Sequence, residues 1–114
     1  MTLEWVRHYC LSLPHATEQV LWEIDLVFKV GGKMFAILVL EPRNVCLTFK
    51  CTPEDFAELI ERPGIIPAPY SARSHWVGLE SPDALSRPEI LRLIQRSYDL
   101  VFAKLTKKLQ RELA

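Results

Sequence analysis

The sequence predicts a single α+β domain over residues 1–114, built on a mostly antiparallel sheet. Three observations carry that prediction. Apolar residues recur at helical spacing near both ends of the chain, while β-forming runs fill the middle. Those runs are joined by short turns, not by helices, so they read as hairpins and not as βαβ units. Finally, 114 residues with 49% apolar and 25% charged side chains suffice for one core without metals or disulfides.

Each element has its own signal. Thr2 stands where a helix cap belongs, and Glu4 falls in the first turn, where the helix dipole favours an acid. Leu3, Val6, Cys10 and Leu13 form the buried stripe of that helix, and Pro14 ends it. "LVFKV" and "KMFAILVL" follow as strands around Gly31-Gly32, a pair suited to the positive φ angles of a two-residue hairpin turn. "EPRN" marks the next turn, and "VCLTFK" alternates Val45, Leu47 and Phe49 against Cys46, Thr48 and Lys50. The three strands read as a meander.

"TPED" opens a middle helix, with Thr52 as cap, Pro53 in the first turn and Asp55 placed to reach back. Phe56, Leu59 and Ile60 face inward until Pro63-Gly64 stops the helix. A proline-rich loop leads to a fourth strand, "HWVGL". Ser86 and Glu89 then form a capping box around Pro88, starting one long C-terminal helix. Its predicted stripe is Leu91, Ile94, Tyr98, Val101, Phe102, Leu105, Leu109 and Leu113.

Charge and cysteine content narrow the function classes. A net charge of zero argues against strong general attraction to nucleic acid or membranes. Nevertheless, residues 1–61 hold nine acids against five bases, and residues 87–111 hold seven bases against two acids. Cys10, Cys46 and Cys51 form no CxxC and cannot all pair, which points to reduced thiols and a cytoplasmic location. The longest apolar run, Met34–Leu40, is too short to span a bilayer. Phosphate-loop glycines, a nucleophile elbow, HExxH and zinc-spaced cysteines are all missing, so the expectation is a binding protein without cofactor or metal, not an enzyme. A monomer is expected.

Three sets of residues are candidates for binding. On a helical wheel Arg92, Arg96, Lys104, Lys107 and Arg111 fall within about one third of the circumference, where they can neutralise phosphates or simply keep the helix soluble. Lys33 and Arg43 sit at hairpin tips, which can approach DNA or merely be well hydrated. The stretch "YSARSHWVGLE" gathers Tyr70, Arg73, His75 and Trp76. Strict alternation puts His75 on the same face as Val77 and Leu79. Together with Lys50 and Tyr98, Tyr70, His75 and Trp76 are candidates for a small-molecule pocket; the plainer reading is that the rings anchor the loop.

"FKVGGKMFAIL", "LTFKCTPEDF", "PGIIPAPYSARSHWVGL" and "SYDLVFAKL", in that order, resemble the MmcQ/YjbR family of small bacterial proteins. The resemblance runs from about Leu13 to about Leu113. Its most specific pieces are Gly31–Phe35, Phe49–Glu54, His75–Trp76 and Ser97–Tyr98. It implies a double-wing α+β fold and duplex DNA as a partner, for which Lys33, Arg43, Arg73 and the C-terminal bases are the candidate contacts read from the sequence itself. It implies no catalytic residue. The chain departs from the family where relatives often carry glycine before the first long strand: here the turn reads Trp22-Glu23-Ile24-Asp25. The expected function is therefore non-enzymatic DNA binding, with an unidentified small-molecule ligand as the alternative.

Overall fold

The computed structural model describes residues 3–41, 44–68 and 74–113. It contains α1 (Glu4–Ser12), β1 (Thr17–Leu21), β2 (Asp25–Val30), β3 (Lys33–Val39), β4 (Leu47–Lys50) and α2 (Pro53–Leu59). These are followed by β5 (Ile65–Pro67), β6 (Trp76–Leu79), α3 (Arg87–Ala103) and α4 (Lys107–Leu113). All six strands join one antiparallel sheet in the order β1-β2-β3-β4-β6-β5, which is the predicted α+β class.

Register assigns the two faces. Leu26, Phe28, Ala36, Leu38, Leu47, Phe49, Val77 and Leu79 share one face through their cross-strand pairing, and all are buried. α3 lies across β3 and β4 on this side, with α1 against α3, and Val6, Cys10, Leu93, Ile94, Tyr98 and Val101 complete the core. The register shifts between Phe28 and Lys29, leaving Phe35 as an extra residue on β3. The bulge lets Phe35 reach Phe28 at 6.5 Å and meet Tyr98 edge-on at 5.4 Å.

The capping signals resolve unequally. Ser86 and Glu89 form the full reciprocal box at the start of α3. Thr52 accepts from the Asp55 N–H at 3.1 Å, with only that half of the box in place. Thr2 lies outside the described residues, and Leu3 occupies the cap position of α1 without a side-chain bond.

Five expectations are corrected. "TEQVL" forms β1, although only Thr17 and Val20 there are strong strand formers, because an edge strand can stay polar. Ile65–Pro67 pairs with β6 inside the proline-rich loop. The strand expected from Val45 begins at Leu47, while Cys46 continues the ladder, its N–H donating to Leu79 O at 2.8 Å. The single long C-terminal helix is two helices: α3 ends at Ala103, and Thr106 caps α4 by accepting from the Leu109 N–H at 3.1 Å. Ile90 and Leu93 belong to the core, whereas Leu91 is only half-buried, so the inward stripe of α3 is rotated from the predicted one.

Candidate functional site

Four strand ends and one helix end meet at one end of the sheet. The Gly31-Gly32 turn closes β2 and β3, with φ of 58° and 79°. A Cβ on Gly31 would stand 2.6 Å from Leu105 Cδ1, so a side chain there would displace Leu105 at the corner between α3 and α4 as well as strain the left-handed backbone. Next to it, β4 ends at Lys50, directly opposite Trp76 at the start of β6.

Ser97 holds this end together. It is fully buried on α3, accepts from the Lys50 N–H at 3.0 Å and donates to Phe35 O at 2.6 Å. One hydroxyl thus ties the helix to both β3 and β4. Its neighbour Tyr98 donates to Pro14 O at 2.7 Å, fixing α3 to the turn after α1. The "SY" pair is a structural staple, and it positions Lys50.

The resulting groove has a volume of about 430 Å³ and is lined by Lys33, Met34, Lys50, Ser74, Trp76, Val101 and Lys104. Lys50 Nζ donates to Ser74 O at 3.2 Å. Burial, and then the positive charge of Lys104, push the Lys50 ammonium below its ordinary pKa. Among the described residues, no carboxylate comes within 4.0 Å of Lys33, Lys50 or Lys104. The groove is therefore a concave patch of uncompensated positive charge against an indole that is 8% exposed. An anion placed there would relieve the repulsion between Lys50 and Lys104.

The structure divides the sequence candidates. Lys33, Lys50, Trp76 and Lys104 meet in the groove, although they came from three separate predicted sets. Arg96 is engaged by Asp55 at 3.4 Å, and Arg92 is exposed farther along α3. The break after Ala103 moves Lys107 and Arg111 onto α4, beside Phe102 and Gln110, so the basic row does not continue as one stripe. Arg43, Tyr70 and Arg73 lie outside the described residues.

His75 does not follow strand alternation. It adopts a φ of 61° just before β6 and packs edge-on to Phe56 of α2 at 5.4 Å. Tyr98 lines a different, more apolar depression with Pro14, His15, Asp99 and Phe102. Of the five residues predicted for a pocket, Lys50 and Trp76 line the groove, His75 and Tyr98 lie elsewhere, and Tyr70 is outside the described residues. Sequence reasoning missed Met34, Ser74 and Val101 as lining residues. Met34 alone had a signal, as an apolar residue on the exposed side of a strand start.

No group of three histidine, cysteine or acidic side chains able to hold a metal occurs among the described residues. Burial pushes the Cys10 and Cys51 thiols up to about 12, so neither is a nucleophile at neutral pH. No described helix is long and apolar enough to cross a membrane.

The comparisons agree with this architecture. A protein from Deinococcus radiodurans, DR2400, with a DUF419 domain, superimposes with a TM-score of 0.87 at 31% identity, covering 98% of this chain and 87% of its own. A protein from Pseudomonas syringae shares the fold with a TM-score of 0.72 at 24% identity, over 89% of this chain and 99% of its own. No curated protein matches. The YjbR family model matches residues 11–100, which is most of the sequence, and the chain accordingly belongs to the YjbR family.

Proposed function

We propose that the protein is a non-enzymatic DNA-binding module that takes backbone phosphates at the groove formed by Lys33, Lys50 and Lys104. The observation that carries this reading is the convergence of three ammonium groups, unpaired among the described residues, on one concavity. The MmcQ/YjbR resemblance supplies DNA as the polyanion. With zero net charge over the whole chain, attraction is local to this end, and binding is of modest strength.

Fluorescence anisotropy with a labelled duplex over a salt series tests the proposal. Two or three neutralised phosphates give a log–log salt slope of about −2 to −3. No anisotropy change at low salt and high protein concentration would refute it. The volume of the groove, near the lower end of small-molecule sites, favours one second reading: a small phosphorylated ligand. In that case inorganic phosphate or mononucleotides raise the melting midpoint while duplex DNA does not.

A further inference from the structure

The two edges of the sheet are built differently. β5 is three residues long and ends in Pro67, which has no N–H to offer a neighbouring strand. β1, at the opposite edge, runs for five residues with neither proline nor lysine. Its one charge, Glu18, is held by Arg7 through bonds of 2.7 Å and 3.0 Å. Among the described residues nothing pairs with the outer edge of β1, so its outward N–H and C=O groups face solvent.

Apolar surface gathers at the same edge. Val20 is 53% exposed and Trp22 is 74% exposed. Leu11, 38% exposed, lies one helical turn beyond Arg7 on the side of α1 that reaches β1. The turn after β1 is also strained: Trp22 and Glu23 have φ of 51° and 64°. Left-handed non-glycine residues cost about 1–2 kcal/mol each. Strain that presents an aromatic ring to solvent marks a surface under a functional demand.

We propose that a second copy of this chain covers that surface, pairing β1 antiparallel to β1 about a two-fold axis and continuing the sheet. Charge selects this occupant. With Glu18 neutralised by Arg7, β1 presents no net charge, so two copies meet without repulsion. A basic foreign strand finds no free carboxylate on β1, because Glu18 is already held by Arg7, and an acidic one meets Glu23 and Asp25 at the end of the strand. An axis at Val20 packs the two Val20 side chains together and brings Trp22 level with the Glu18–Arg7 pair of the second copy, whose guanidinium an indole attracts.

Sedimentation velocity from low micromolar to near-millimolar protein tests the pairing. The wild-type mass doubles with concentration, and V20K and W22G each weaken association about tenfold or more, as loss of a central contact does. Thermal melts establish that both variants are folded, and V20K leaves DNA affinity unchanged because the groove is at another site. A monomer mass throughout overturns the proposal. So does a dimer indifferent to both variants, or a monomer whose β1 amides gain exchange protection only when an unrelated extended peptide is added.

Discussion

The two turns at opposite ends of β2 solve the same geometric problem with opposite chemistry. Between β2 and β3, two glycines take the positive φ angles without strain, and Gly31 packs against Leu105 beside three lysines. Between β1 and β2, tryptophan and glutamate take similar angles at a cost, and the indole stands in solvent beside acids. The relaxed turn serves packing and leaves the charge to its neighbours; the strained turn is itself the displayed feature. One sheet thus carries a basic concave end and, at the other end of β2, an exposed indole beside acids.

Charge reversal in the groove is the largest expected change. K50E combined with K104E lowers affinity for duplex DNA about a hundredfold at low salt and flattens the salt slope by about 2, measured by anisotropy. The same pair of changes leaves self-association unaltered, which separates the two ends. Removing the staple comes next. S97A leaves the Lys50 N–H and the Phe35 carbonyl without their partner and costs about 2–4 kcal/mol in a denaturant titration.

The turns themselves respond with opposite signs. G31A costs about 1–3 kcal/mol, because a Cβ meets Leu105 and the backbone is left-handed. W22G instead stabilises by about 0.5–1 kcal/mol, since relief of strain exceeds the added freedom of the unfolded glycine. A destabilised W22G with G31A unchanged would reverse the comparison.

The smallest effect is pH-dependent and lies at the far end of α3 from the groove. Arg62, then Ser86, hold the Glu89 carboxyl down to about 2. Its folded pKa lies below its unfolded one, so its stabilisation is present at neutral pH and is lost as pH falls from about 4.5 toward 2. E89Q is therefore less stable than wild type at pH 7, by about 0.5 kcal/mol after solvent screening, and the gap closes near pH 2. Paired thermal melts across that range measure it.

Local signals made most of the fold legible. Gly31-Gly32 fixed a hairpin, Ser86 with Glu89 fixed a helix start, and alternation in "LTFK" fixed a strand. β1 escaped because its stability comes from pairing with β2 and not from its own residue types. The break at Thr106 escaped because the apolar period continues through it: Leu105 and Leu109 turn to meet Gly31. The candidate site was legible only as scattered members. Lys33, Lys50, Trp76 and Lys104 are far apart in the chain, and nothing in their spacing reports that strand ends and a helix end converge. The motif "SY" stood out for a different reason, since Ser97 and Tyr98 build the site without lining the groove.

An NMR titration of the labelled protein with a short DNA duplex tests the groove most directly. Binding there predicts progressive shifts of the Lys33, Lys50, Ser74 and Lys104 amides and of the Trp76 indole, fading as salt rises. Shifts confined to the Trp22 corner or to α4, with those signals unmoved, would contradict it.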